Sequence, residues 1–146
     1  MKAPKTNIIF SLKSVKIENF WTFESNLVSG KEKVDFFTSI QVKMYGKTKQ
    51  LAIFIELEST QNTRIIMKLL VSCHFKIKPA AWNKLISVDK KTITFSKGLL
   101  THLAVLTVGT ARGVLAAKTE KTVFEKYCLP TVNVSRVFTE DLLFDL

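Results

Sequence analysis

The residue types that carry out catalysis or bind metals are few in this sequence and far apart. Its two histidines, His74 and His102, and its two cysteines, Cys73 and Cys128, form none of the short motifs of metal sites or activated nucleophiles. The 12 acidic residues are scattered, so no two carboxylates are spaced for acid–base chemistry. We therefore expect no enzyme activity, no cofactor and no metal.

The two thiols are expected in different environments. Cys73 lies on the apolar phase of an alternating segment, which predicts a small buried hydrophobic residue. Cys128 precedes Leu129 and Pro130 and is expected to be partly exposed, with only Lys126 nearby to activate it. Two cysteines do not make a disulfide framework, which favours reduced thiols and a cytoplasmic location.

The composition predicts one domain, residues 1–146, because 47% of the residues are hydrophobic and glycine and proline are few. Lysine and arginine number 22, which gives a formal charge of +10. The lysines are expected mainly to be solvated, with salt-sensitive binding to acidic partners as the alternative. No stacked-aromatic motif indicates base recognition, so we expect at most weak nucleic-acid binding through the lysines.

Neither a leader nor a membrane-spanning segment is expected. The apolar run at residues 8–10 is too short for a signal peptide. The most membrane-like window, Leu99–Ala117, contains His102 and Arg112. An arginine inside a spanning helix costs about 2.5–3.5 kcal/mol. We therefore expect no membrane insertion.

The first half of the chain alternates between apolar and polar residues, which predicts four strands. The apolar phase of the first strand changes near Ser14, which indicates a bulge. Short turns between the later strands predict that consecutive strands pair as an antiparallel meander. The predicted strands are Ile8–Phe23, Val34–Tyr45, Leu51–Leu57 and Ile65–Ile77.

The second half changes to helical spacing. Ser96 is a suitable N-cap for a long helix that continues through Leu99 to Leu115. Residues 79–95 and 119–130 are expected to be connections, the first with room for one helical turn. Ser135 could cap a short terminal helix that carries Val137, Phe138, Leu142 and Leu143. Strands followed by helices predict an α+β fold, with the long helix and the short C-terminal helix packed on one sheet face.

The opposite face of the predicted sheet is more apolar than a solvated face should be. The apolar residues on its phase are Phe37, Phe54, Ile66 and Leu70. Because two helices cannot cover both faces, we expect this face to contact another copy of the chain or apolar segments of a partner. Isolated surface apolar residues are the alternative.

The long helix contains two glycines four residues apart, Gly109 and Gly113, on one face. Each costs about 1 kcal/mol relative to alanine, so the pair predicts close packing on the sheet or on a symmetry-related helix. Arg112 lies between them in an otherwise uncharged run and must be paired with a carboxylate or loop carbonyls if it is buried.

The order of these elements resembles that of the SecB-like export chaperones. Residues 111–115 (ARGVL) are similar to the Ala-Arg-x-Val-Ile stretch of that family's long helix, and residues 129–134 (LPTVNV) resemble its Pro-x-Leu-Asn-Leu segment. The resemblance implies a non-catalytic holdase that binds unfolded or partly folded polypeptides, with protein export as one role. It also implies a homo-oligomer, either a dimer or a tetramer.

By position, the resemblance implies client-binding grooves lined by Trp21, Leu27, Val28, Val123, Phe124, Tyr127 and Leu129, with ordinary core positions as the alternative for each. It further implies docking of an acidic sheet surface on the SecA motor, which Lys68 and the charge of +10 disfavour. A dedicated interaction module that guards an antitoxin, or that has another single partner, is therefore the alternative.

Overall fold

The computed structural model describes residues 9–28 and 33–146, so Ile8, the predicted start of the first strand, lies outside these ranges. The long strands are β1 (Phe10–Thr22), β2 (Val34–Tyr45), β3 (Gln50–Gln61) and β4 (Arg64–Ile77). The second half forms α1 (Pro79–Leu85), β5 (Thr92–Phe95), α2 (Lys97–Thr119) and β6 (Leu142–Asp145), with 3-10 turns at Glu24–Asn26 and Val134–Arg136. The α+β class predicted from the sequence is confirmed.

The four long strands form one antiparallel sheet in the order β1-β4-β3-β2. Tight turns join β2 to β3 and β3 to β4, as predicted. β1 lies beside β4, however, so the sheet has a Greek-key order and the simple meander was wrong. The connection after β1 is long enough to carry the chain to the far edge before β2 begins.

The bulge predicted near Ser14 is confirmed. The pairing of β1 with β4 shifts between Leu12 and Ser14, and again between Ile17 and Asn19. The extra residue keeps Leu12 and Val15 on one face of the sheet, opposite Phe75 and Cys73.

One face of the sheet is covered by α2, which lies over β3 and β4. Ser96 caps this helix as predicted, because its Oγ accepts a hydrogen bond from the Leu99 backbone N–H at 3.2 Å. By length and composition α2 could also cross a membrane. Its packing on the sheet accounts for the apolar side of the helix. Residues at the centre of this core include Ile53, Ile55, Leu69, Val71, Phe75, Leu103, Ala104 and Ala111.

The predicted C-terminal helix is replaced by a 3-10 turn and a strand. β6 pairs with β5, with Leu142 opposite Phe95, and the rings of Phe95 and Phe144 lie 5.8 Å apart. Leu142 and Phe144 are half-buried while Leu143 is exposed, a period of two rather than a helical one. The short helix is α1 instead, which precedes α2.

Ile66 was wrongly placed on the uncovered face. The pairing of β3 with β4 shifts beside Thr60, which changes the phase around Ile66, and this side chain is fully buried in the core. It therefore offers no surface to another copy of the chain.

The glycines of α2 do not pack closely on the sheet. A Cβ atom built on Gly109 or Gly113 meets no atom within 4 Å. Packing against a second helix stays a prediction. Arg112 is exposed and donates a hydrogen bond of 3.4 Å to the Pro130 carbonyl, one of the loop carbonyls expected to pair with it.

Candidate functional site

One cluster of polar residues combines side chains that could take part in catalysis. It lies on the uncovered face of the sheet, which we call the open face. Ser72 Oγ donates a hydrogen bond to Glu18 Oε1 at 2.8 Å and lies 3.1 Å from His74 Nε2. Ser72 is completely buried and its hydroxyl proton points to the carboxylate rather than to the imidazole. This geometry holds the strands together and does not activate a nucleophile. Within residues 9–28 and 33–146, no His, Cys, Asp and Glu side chains cluster as metal ligands.

His74 forms the floor of the open face. Its ring stacks on Tyr45 at 6.0 Å and meets Phe54 edge-on at the same distance. Burial lowers the pKa of His74 below 6.5, and the nearby charge of Lys16 lowers it further, while Glu18 acts in the opposite direction. The imidazole is therefore a neutral packing element at physiological pH.

Cys73 is buried on the covered face, as predicted. Burial raises the pKa of its thiol, and the neighbouring hydroxyls of Thr107 and Thr110 act in the opposite direction. Cys128 is exposed.

The seven predicted client-binding residues differ in how deeply they are buried. Phe124 and Leu129 are only 3% and 5% exposed, so they belong to the core and stabilise the loop that follows α2. Leu27 and Tyr127 are half-buried. Trp21, Val28 and Val123 are exposed.

Both parts of the predicted groove lie toward the same end of the sheet. The Val28 N–H donates to Gln61 Oε1 at 2.7 Å, and Asn26 Nδ2 donates to the Ile65 carbonyl at 2.8 Å, which fixes this segment beside the β3–β4 turn. His102, near the start of α2, contacts Phe10, which begins β1 at the end of the sheet far from the β3–β4 turn. The helix therefore runs toward the β3–β4 turn, and the loop with Val123 continues from there.

A cavity of about 210 Å³ opens between the end of α2 and this loop, and we call it the loop groove. Two predicted residues line it, Tyr127 and Leu129, beside Leu115 and Ala116 of the helix. Arg112 and Glu125 supply its charged groups. An apolar pocket with a few charged groups is the usual form of a binding site for a side chain.

A larger groove of about 490 Å³ continues along the same side of α2, between the helix and residues 131–135, and shares Arg112 with the loop groove. Val105, Val108 and Gly109 form its helical wall, and Val132 and Val134 face them. The missing side chain of Gly109 leaves this wall open. The small residue that the sequence singled out thus lines a surface groove.

Three aliphatic side chains of β1 were missed as a surface. Leu12, Val15 and Ile17 share the face that α2 covers, yet Leu12 is 51% exposed and Ile17 is 46% exposed. The helix lies over β3 and β4 and leaves this edge strand bare. We call these three residues the β1 ledge. The phase change at Ser14 is the sequence signal that places Leu12 and Val15 on one face, whereas their exposure depends on the position of α2.

Three of the four apolar residues predicted on the open face lie there. Phe37 is exposed, and Phe54 and Leu70 are half-buried. Lys68 lies among them, with its Nζ 3.3 Å from Glu56 and 3.7 Å from Glu58. The face is therefore a mixed surface of charged and apolar side chains.

Among the comparisons with known proteins, the one with solved structures identifies the fold of this chain. No protein-family model and no curated protein matches this chain. Among solved structures, the chain is similar to the SecB-like chaperone Rv1957 of Mycobacterium tuberculosis, which was solved in complex with a ChAD peptide from the antitoxin HigA1. The similarity has a TM-score of 0.54 and 7% identity, over 84% of this chain and 90% of the other.

The chain has a SecB-like fold. The SecB-like fold that the resemblance of residues 111–115 and 129–134 implied is thus confirmed. A protein of unknown function from Streptococcus agalactiae also matches, with 13% identity over 84% of this chain and 96% of that one, at a TM-score of 0.39.

Proposed function

We propose that this protein is a non-catalytic holdase of the SecB-like type that binds unfolded or partly folded polypeptide segments. The observation that carries the proposal is the apolar loop groove, which lies toward the same end of the sheet as the exposed Val28 and Val123. Trp21 lies at that end too, but on the open face, because it pairs with Lys68. The solved chaperone with the same fold holds a peptide, which supports this class of ligand.

Apolar burial would supply most of the affinity. Each large apolar side chain of a client that enters a groove contributes about 1.5–3 kcal/mol. The outer edges of β1 and β2 pair with no other strand of the described chain, so they offer backbone hydrogen bonds to an extended segment. The backbone contribution is independent of client sequence, and the apolar one requires only that the segment carries large apolar side chains.

Suppression of aggregation tests the proposal. The full chain is mixed with a chemically denatured model protein at stoichiometric ratios, and light scattering follows aggregation. The chain should delay it, and Val123→Asp should weaken the delay because it places a charge beside the groove. Val88→Asp, at a fully exposed valine on the loop that follows α1, is the control for an added charge away from the groove. A chain that delays nothing, or equal behaviour of the two variants, contradicts the proposal.

The second candidate is a protein with one dedicated partner, such as an antitoxin. It is favoured by the antitoxin peptide bound to the structural neighbour. A chain that fails the aggregation test but captures a single protein in a pull-down, with capture lost in Val123→Asp, would support this candidate.

We propose further that the protein is a cytoplasmic homo-oligomer. A second copy placed against the β1 ledge would cover Leu12, Val15 and Ile17, and the exposed Val105 and Leu106 of α2 offer more apolar surface. Light scattering should give a mass above 16.6 kDa that falls in Ile17→Lys. A mass that falls in Leu70→Glu but not in Ile17→Lys would indicate that the interface lies on the open face. A wild-type protein with the mass of a monomer would contradict assembly.

A further inference from the structure

The open face is divided electrostatically into two halves. One half carries lysines on three strands, Lys16 of β1, Lys43 of β2 and Lys76 of β4, around the aromatic pair Tyr45 and Phe54. We call this the basic half-face. Lys47, Lys49 and Lys78 continue the positive charge at the turn beside it.

The lysines of the basic half-face have no ion-pair partner in the described part of the chain. The ion pairs found there join Lys33 to Asp35, and Lys68 to Glu56 and Glu58. Two carboxylates border the basic half-face in one pocket with Lys43 and Phe54. Glu18 already accepts a hydrogen bond from Ser72, and Glu56 is paired with Lys68. The charge of Lys16 also contributes to the lowered pKa of His74. The half-face therefore has a positive potential available to a ligand.

One of these lysines is already held in place. Lys43 Nζ lies 4.6 Å from the centre of the Phe54 ring, a cation–π contact that restricts the side chain before any ligand arrives. A positioned charge loses less conformational entropy on binding than a free one.

The dimensions suit a short extended peptide. Four strands span about 14 Å from β1 to β2, since neighbours lie about 4.8 Å apart. An extended segment of about five residues has a similar length. Carboxylates along such a segment can reach the lysines on both edge strands.

We propose that the basic half-face binds acidic segments of the polypeptides that this protein holds. The inference rests on the proposed holdase function and adds charge selection to it. Single-stranded nucleic acid fits less well, because bases need free ring faces for stacking. Lys43 covers the ring of Phe54, and Tyr45 is stacked on His74. Carboxylates require only the lysines.

Fluorescence anisotropy on the full chain tests the inference with three labelled probes of equal length. They are a 12-residue peptide of alternating Glu and Gly, its Gln–Gly counterpart, and an oligothymidylate. We expect the Glu peptide to bind more tightly than the other two. The triple variant Lys16→Gln, Lys43→Gln, Lys76→Gln should weaken its binding by about tenfold, and added salt should weaken it further.

The matched control is Lys84→Gln, Lys118→Gln, Lys121→Gln, which removes the same charge at exposed positions outside the sheet. It should change the affinity by less than about twofold. Equal effects of the two triple variants, no binding of the Glu peptide, or tighter binding of the oligothymidylate would overturn the inference.

The aggregation assay separates this result from the fate of the proposed function. If the chain suppresses aggregation but does not prefer the Glu peptide, the inference about the basic half-face is overturned and the holdase proposal stands. A chain that binds the Glu peptide through these lysines but suppresses no aggregation overturns the holdase and leaves an acidic-peptide site.

Discussion

The two faces of the four-stranded sheet are built from alternate residues of the same strands but have opposite characters. On β4, Phe75 and Cys73 point toward α2 and are buried among aliphatic side chains. Their neighbours His74 and Lys76 lie on the open face, among charged and aromatic groups. The covered face stabilises the fold, whereas the open face has polar groups in excess of what stability needs. Function is therefore to be sought on the open face and along the rim of the covered one.

Thiol labelling should show the largest contrast between the two kinds of surface. Cys128 is exposed, whereas Cys73 is buried and the pKa of its thiol is raised by burial. In native protein, a thiol reagent should modify Cys128 at least about a thousandfold faster than Cys73, because Cys73 reacts only after opening. Both thiols should react together in denaturant. Equal native rates would contradict the packing of the covered face.

A matched pair of phenylalanines compares the faces directly. Phe75→Ala removes a ring that is 1% exposed and packs edge-on against Phe10 at 5.8 Å, so the free energy of unfolding should fall by about 3–5 kcal/mol. Phe54→Ala on the open face should cost about 1 kcal/mol or less, since its ring is already partly in water. Urea titration measures both. A loss for Phe54 as large as that for Phe75 would mean that something covers the open face.

The bridging lysine of the open face should contribute little. Lys68→Gln removes contacts to Glu56 and Glu58, but all three side chains are about one-third exposed. The expected loss in the free energy of unfolding is below about 1 kcal/mol and should shrink in high salt. Urea titration at low and high salt checks this. A loss that salt does not reduce would argue against an electrostatic origin.

The smallest of these expected effects is the change in the free energy of unfolding with pH that His74 causes. The pKa of His74 is lowered by folding from 6.5, so below pH 6.5 the unfolded chain binds more protons than the folded one. The free energy of unfolding should therefore fall as the pH drops from 6.5 toward the folded pKa. Tyr45 and Phe54 pack on this ring, and Lys16, Glu18 and Ser72 are its polar neighbours.

His74→Gln isolates this contribution from that of the carboxylates. Urea titrations at pH 7.5 and 5.5 should show a weaker pH dependence in the variant. An unchanged dependence would mean that His74 does not titrate between these values.

Local patterns predicted much of the fold. The alternation of β2, β3 and β4, the bulge near Ser14 and the Ser96 cap depend on residues a few positions apart, and the structure contains all of them. The partner of β1 could not be predicted in this way, because its choice of β4 depends on contacts across more than 40 residues. The run at Leu142–Phe144 is too short to distinguish a strand from a helix by its period.

The candidate site was predictable only in part. Residues 123–129 were expected to line a client-binding groove, which stays a prediction. Tyr127 and Leu129 line the loop groove, whereas Phe124 is buried in the core. Ile66 was misplaced because a single shift in strand pairing reverses the faces beyond it. The β1 ledge depends on where α2 lies across the sheet, which no local pattern contains.

The position of β1 also has a consequence during synthesis. The ribosome makes this strand first, yet its partner β4 emerges only some 40 or more residues later. At about 5–20 residues per second, β1 waits for several seconds as an unpaired, aliphatic-rich segment. Two nascent chains on one messenger could exchange these segments before either finds its own β4. A dimer joined by swapped first strands is thus a product that closely spaced ribosomes on one messenger would favour.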